Sequence, residues 1–270
     1  MATRDRSGAH QPGASLTRDL RPTWELLHNL TVRELKIRYK RSALGFMWSL
    51  LNPLLMMGVF SLVFTVAFKA PIKDFPLFFL AAYLPWAFFQ ASVQISTGVI
   101  IANAALIKKV WFPRVVLPLS VVLSQLVHLL LALLVLLPAL ALDDYNFVPY
   151  LPGLLLAVVL LAAFTAGVSM LFAAANTVFR DIQEFSNVLF LLWFYVTPVV
   201  YSPTLLPARY RTALHVNPMY YFVTMVRSTV YELRYPSAAV LLGAVIWCVV
   251  AVVSGAWLFE HLSTRFAKEI

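Results

Sequence analysis

The chain has 270 residues, of which 61% are hydrophobic and only 12% charged, where an ordinary soluble domain has about a quarter charged. Such a composition excludes a soluble globular domain and implies that lipid is the solvent. The formal net charge of +9 does not read as a nucleic-acid surface, because the basic residues flank apolar runs and form no aromatic-interleaved patch.

The first fifteen residues, MATRDRSGAHQPGAS, are polar and small and have neither an apolar stretch nor a cleavage-like site, so no secretory signal peptide is read here. Residues 1–22 are expected to form a disordered cytoplasmic tail ahead of a single transmembrane domain over 23–270. From Thr23 to Arg41 the pattern predicts a helix lying on the inner leaflet. Arg33, Lys36, Lys40 and Arg41 would mark its basic side, and Trp24, Leu27, Leu35 and Tyr39 its apolar face.

Charge-free windows then predict six spans: Leu44 to Phe68, Leu77 to Ala102, Val115 to Ala141, Leu151 to Phe179, Phe185 to Tyr201, and Ser237 to Phe259. The fold class is therefore an all-α polytopic membrane protein. Ser202 to Pro236 is too polar for a plain span and too rich in Tyr, Val, Leu and Met for a solvated loop, which predicts short re-entrant helices at the outer interface. Lysine and arginine cluster before the first span, between the second and third, and after the fourth and sixth, so both termini are expected in the cytoplasm.

The chain shows no sign of an engine of its own. It contains no G-x-x-x-x-G-K-[ST] loop to cradle nucleotide phosphates. No aspartate or glutamate falls inside the six windows, and proton-driven carriers need such intramembrane acids. His128, with Ser124 and Gln125 beside it, reads as a hydrogen-bonded histidine inside the bundle and receives no role. Asp143 and Asp144 read as a solvated turn. No triad and no zinc spacing appears, so no catalytic residue, metal site or cofactor is assigned to this chain.

Four stretches in order resemble the ABC-2 type permease family, in particular its exporters of lipid-linked polysaccharides such as O-antigens and teichoic acids. They are RELKIRYKRSALGFMWSLLNPLL, NAALIKKVWFPRVVLPLS, ANTVFRDIQEFSNVLFLLWFYVTPVVYS and HVNPMYYFVTMVRSTVY. The resemblance implies an inner-surface helix over 23–41, a cytoplasmic coupling segment over 103–114 and an outer gate region over 202–236. It further implies a separate cytoplasmic ATP-binding subunit, carrying the ATP and magnesium, which would act in two copies on a permease homodimer. Arginine outnumbers lysine, and alanine, valine and leucine dominate, which hints at a high-GC bacterium and a galactan as one candidate cargo. The competing readings are a family member exporting a drug or other small hydrophobic molecule, and a membrane enzyme acting on polyprenyl-linked sugars. That enzyme would need clustered acids at one interface, which the chain lacks.

Lys108, Lys109 and Arg114 surround the apolar Val110, Trp111 and Phe112. This pattern suits either interfacial anchoring or docking into an aromatic cleft, and the resemblance favours docking. Arg180 and Asp181 would pair at the inner mouth, or Arg180 would reach lipid phosphates. Gln90, Gln94 and Thr97 share one face of the second span, and Thr165, Ser169 and Asn176 one face of the fourth, as helix packing or a polar lumen requires. Phe60, Phe64, Trp193, Tyr195 and Tyr201 are candidates for a translocation path, against a role as lipid-facing aromatics. Asn217, Pro218, Tyr220 and Arg227 are assigned to the outer gate by the resemblance.

Overall fold

The computed structural model describes residues 20–39, 45–69, 71–142 and 146–263. Among them every regular element is a helix. In chain order these are α1 (Leu20–Tyr39), α2 (Trp48–Ser61), α3 (Phe75–Ala102), α4 (Ala104–Lys109), α5 (Val116–Leu142) and α6 (Leu151–Val178). Then follow α7 (Ile182–Val196), α8 (Ala208–Leu214), α9 (Pro218–Val230) and α10 (Ala238–Ser263). A short 3-10 turn, Gly45–Met47, leads into α2, and a π-helical stretch, Leu62–Ala67, extends it.

Among the described residues five helical segments are long and apolar enough to cross a membrane: α2 with its extension, α3, α5, α6 and α10. The expected fifth span is shorter than its charge-free window. α7 has 15 residues, roughly 22 Å at 1.5 Å per residue, against a hydrocarbon layer of about 30 Å. Thr197-Pro198 ends it: a residue before proline is driven out of the helical region, and Thr197 is extended at φ −83° and ψ 134°. Tyr201 therefore lies beyond the helix.

α3 is the hub, buried on most sides against α5, α6 and α9. α10 buries a single stripe, Ala244, Cys248, Ala251, Gly255 and Phe259, whose spacing of three and four is one helix face. That stripe lies on α6 so closely that a Cβ at Gly255 would stand 2.2 Å from the carbonyl oxygen of Gly167. The remainder of α10, with Leu242, Ile246, Val249, Val253 and Trp257, is exposed and apolar, as a lipid-facing surface must be. α2 has no buried residue and touches the bundle mainly along α3.

The helix ends sort by charge. The C-termini of α3, α6 and α10 meet the N-termini of α5 and α7 at one end, together with α1 and α4. Asn176 Nδ2 donates to the carbonyl of Thr97 at 2.9 Å there, and an Arg114 guanidinium N–H donates to the carbonyl of Ser263. Arg33, Lys36, Lys108, Lys109, Arg114 and Arg180 make this the basic end. At the opposite end Tyr231 donates to the carbonyl of Lys73 at 2.6 Å, and Tyr235 to that of Pro149 at 2.7 Å.

One further expectation changes. The first helix begins at Leu20, inside the stretch read as a disordered tail, and ends at Tyr39; residues 1–19, with Lys40 and Arg41, lie outside the described residues. Asp143 and Asp144 lie outside them too. The segment 202–236 does form the expected short helices, and α9 is the more buried of them. It is buried around most of its circumference against α3, α6 and α10, because both its Met219–Phe222–Val226 side and its Arg227–Ser228–Thr229 turn are covered.

Candidate functional site

The basic end carries a platform built from α1, α4 and the residues up to Arg114. Ile107 and Phe112 are its roots: both are buried, in a cluster with Leu30 of α1, Leu117 and Val121 of α5, Met170 of α6 and Phe259 of α10. Between these roots the chain cannot turn inward. Lys108, Lys109 and Val110 are exposed, and Trp111 is 87% exposed beside a Phe112 that is 8% exposed. Val110 is extended and ends α4, and Pro113 lacks the N–H that would let a helix continue back through this turn. The result is a bare indole flanked by two lysines on a rigid support.

α1 is joined to this platform by a hydrogen bond as well as by packing. Arg33 Nη2 donates to Asn103 Oδ1 at 2.8 Å and to Glu34 Oε1 at 2.9 Å, while Asn103 Nδ2 donates to the carbonyl of Val99 at 2.8 Å. Leu26, Leu27 and Leu30 pack against the platform, where the helix seats on α5, and Trp24 is 67% exposed. Lys36 is exposed and Arg33 faces the end of α3.

Arg180 and Asp181, in the turn between α6 and α7, are both exposed. Among the described residues no ion pair joins them.

At the opposite end the structure brings together two of the stretches singled out in the sequence. Trp193 Nε1 donates to Asn217 Oδ1 at 2.8 Å, Asn217 Nδ2 donates to Thr197 Oγ1 at 2.9 Å, and Thr197 Oγ1 donates to the carbonyl of Trp193 at 2.9 Å. Asn217 also caps α9 by accepting from the N–H of Met219 at 3.0 Å, with Pro218 at the first helical position, where its missing N–H costs nothing. Nine residues beyond Pro218 on the same helix, Arg227, 4% exposed, reaches back to the carbonyls of Pro198 and Val199. Tyr220 stands edge-on to His215 with ring centroids 5.3 Å apart.

The aromatic candidates separate into two groups. Phe60 stacks on Phe79 at 4.8 Å and Phe64 on Phe75 at 5.3 Å, so both join α2 to α3. Trp193 lies among Trp86, Phe89 and Phe190 inside the bundle. Tyr195 is exposed, and the half-buried Tyr201 donates to the carbonyl of Val196 at 3.1 Å. Of the polar faces, Thr97, Thr165, Ser169 and Asn176 are buried at the packing surfaces of α3 and α6. Gln90 and Gln94 instead line a space.

The family model described as the ABC-2 type transporter matches residues 25–231, a stretch running from α1 through the whole of α9. The chain belongs to the ABC-2 type transporter family. It is 37% identical over 260 residues to the O-antigen export system permease protein RfbA of Myxococcus xanthus, covering 94% of this chain and 99% of that protein. A protein of the same name from Klebsiella pneumoniae is 32% identical over 250 residues, covering 91% and 95%. The polysialic acid transport protein KpsM of Escherichia coli is 23% identical over 210 residues, covering 74% and 79%.

Within this ABC-2 transporter fold, reading the sequence did not single out Asn103 as a partner for the surface helix, or Asn52 and Gln125 as neighbours of Gln90. Asn103 carries a local signal, an asparagine ending a long apolar run just before a basic segment. Asn52 and Gln125 carry none, because no spacing within α2 or α5 shows that they face Gln90 on a third helix.

Proposed function

We propose that the chain is the membrane-spanning permease of an ATP-driven exporter that moves a polyprenyl-diphosphate-linked polysaccharide out across the bacterial inner membrane. Two copies would form the conduit, and two copies of a cytoplasmic ABC ATPase would drive it. The basic end faces the cytoplasm in this reading, which is the side favoured by lysine and arginine. The observation that carries the reading is the bare Trp111 between Lys108, Lys109 and Arg114 on a buried footing of Ile107 and Phe112. An indole held in place by its neighbours suits insertion into a partner's cleft, since aromatic anchors dominate binding energy in desolvated pockets.

Similarity to proteins named for O-antigen export and polysialic acid transport supports the cargo class. The physics agrees with a conduit: each sugar hydroxyl left unpaired in hydrocarbon costs several kcal/mol, and a protein path with polar side chains removes that cost. The exposed faces of α2 and α7, with Leu54, Leu55, Val59, Val188, Leu191 and Tyr195, are where a second copy would pack or face it across the path.

The test is deletion of the gene in its host, followed by complementation. Surface polysaccharide should disappear while lipid-linked glycan accumulates inside, and the wild-type chain together with its ATPase should restore export. Surface polysaccharide unchanged in the deletion strain would reject the reading.

A further inference from the structure

α2 meets α3 in two different ways along its length. Towards the opposite end from the basic platform, Phe60 and Phe64 join it to Phe79 and Phe75. Towards the basic end the two helices part, and a cleft of about 660 Å³ opens between α2, α3 and α5. Pro53 stands on α2 at the wall of this cleft, and a proline there offers no N–H to the carbonyl one turn earlier, which permits the bend that separation needs. The volume lies within the range of about 300–1,000 Å³ usual for small-molecule sites.

The lining is unlike the rest of the bundle. Asn52 comes from α2, Gln90 and Gln94 from α3, and Gln125 and His128 from α5, with Trp48 at the basic end of the cleft. Trp86 Nε1 donates to Gln90 Oε1 at 2.9 Å, which commits that oxygen and leaves the amide hydrogens of Gln90 to a ligand. Gln94 Nε2 donates to Asn187 Oδ1 at 3.2 Å, which leaves its oxygen as the acceptor. Donors and acceptors thus alternate along one wall, beside an indole half-exposed to the same space. Among the described residues that line the cleft, none is Asp, Glu, Lys or Arg.

We infer that the cleft between α2, α3 and α5 is a binding subsite for an uncharged sugar ring of the transported glycan. Paired amides match the donor and acceptor pattern of vicinal hydroxyls, and an indole face covers the apolar C–H side of a ring. A diphosphate would enter without a counter-charge in low dielectric, at a high desolvation cost. A lipid tail would leave the amide hydrogens of Gln90 and the oxygen of Gln94 facing hydrocarbon, so neither end of the carrier lipid suits the lining. This inference rests on the exporter reading and names where, within that path, a sugar is held.

The experiment uses the purified permease–ATPase complex and, as probe, the delipidated polysaccharide released from the producing strain's envelope by mild acid. Wild-type complex should bind it with quenching of tryptophan fluorescence, and Trp48→Phe should remove most of the quenching. The Gln90→Leu, Gln125→Leu double variant should weaken binding about tenfold or more, as the loss of two polar contacts requires. Asn52→Cys in a Cys248→Ala background adds a readout that does not depend on the double variant folding. A charged methanethiosulfonate reagent should label that cysteine, and the glycan should slow the labelling several-fold. Unchanged affinity in a folded double variant, or labelling that the glycan does not slow, overturns the subsite. If either occurs while deletion of the gene still abolishes surface polysaccharide, the exporter reading stands and the subsite alone is wrong. If deletion leaves the surface polysaccharide intact, both are wrong.

Discussion

Arg227 Nη2 donates to the carbonyl of Pro198 at 2.8 Å, and the same nitrogen lies 3.1 Å from the carbonyl of Val199. Its Cζ stands 3.8 Å from the centroid of the Phe78 ring. A guanidinium deep in an apolar bundle is costly, and what repays it here is the broken end of α7. The turn after Val196 exposes carbonyls that have no helical partner, and Pro198 and Val199 are both buried. Arg227 supplies their missing donors and Phe78 the face for its charge.

Arg227→Met should therefore lower stability sharply. Two buried carbonyls lose their donor, at about 1–3 kcal/mol each. The melting midpoint of the detergent-purified protein, followed by fluorescence-detected size exclusion, should fall well below wild type, and export in cells should fall with it. Arg227→Lys should recover only part of the loss, because an ammonium lacks the planar guanidinium that stacks on the Phe78 ring while its Nη2 reaches the carbonyls. A wild-type melting curve for Arg227→Met would show that the carbonyls find other donors.

The crossing of α6 and α10 gives a second, steric prediction. A Cβ at Gly255 meets the Gly167 oxygen at 2.2 Å, and one at Gly167 meets the Ala251 carbonyl carbon at 2.4 Å. These are backbone atoms of two long helices and cannot swing aside. Gly167→Val and Gly255→Val should each abolish recoverable folded protein. Gly58, in α2, has nothing within 4 Å of a built Cβ. Gly58→Ala should therefore be tolerated, with a gain of up to about 1 kcal/mol in helix propensity. Comparable yields of Gly255→Val and Gly58→Ala would contradict the close crossing.

Much of this architecture was legible because lipid imposes a simple rule. Where charges vanish for about 20 residues a helix spans, so the windows for α3, α5, α6 and α10 fall within a few residues of the helices. The window for the fifth span overran because absence of charge says nothing about backbone geometry, and Thr197-Pro198 stops α7 without adding a charge. The short helices of 202–236 were legible from a composition too polar for a plain span and too apolar for a solvated loop, but the burial of α9 was not, because it depends on α3, α6 and α10 closing around it. The platform was legible as a pattern of Lys, Trp and Arg, yet only three dimensions separate Trp111, which is bare, from Phe112, which is a root. Asn52, Gln90 and Gln125 sit on three helices, and no periodicity within one helix can gather them.

The difference between Trp111 and Phe112 yields a paired prediction. Trp111→Ala removes an exposed anchor, so the permease should stay folded while its association with the ATPase weakens by 2 kcal/mol or more, about thirtyfold. Lys108→Ala with Lys109→Ala should act mainly on the association rate and lose its effect at high salt, as rim charges do. Phe112→Ala instead empties a site shared with Leu30, Leu117 and Phe259, and should cost about 3–5 kcal/mol of stability. Co-purification from detergent and thermal melting of the same samples separate the two outcomes. Full retention of the ATPase by Trp111→Ala would remove the docking role.

The bond between Arg33 and Asn103 carries the last prediction. Asn103 is held at the end of α3 by its own donation to the carbonyl of Val99 and accepts from Arg33 Nη2 at 2.8 Å, so under the proposed coupling a push on α1 would reach the α3–α4 junction through this bond. Packing by Leu26, Leu27 and Leu30 holds α1 in place without that bond, so its loss should leave the fold intact. Arg33→Ala and Asn103→Ala should each leave nucleotide hydrolysis by the assembled complex running while lowering export per ATP. Because both remove the same contact, the double variant should be no worse than either single one. The interaction term of that cycle should lie within the range of about 0.5–3 kcal/mol for residues that touch. The acceptor is a neutral amide, so the coupling should persist at salt concentrations that screen exposed ion pairs. Additive losses in the double variant, measured as glycan exported per ATP hydrolysed, would mean that the two residues act through separate routes and that α1 transmits force by packing alone.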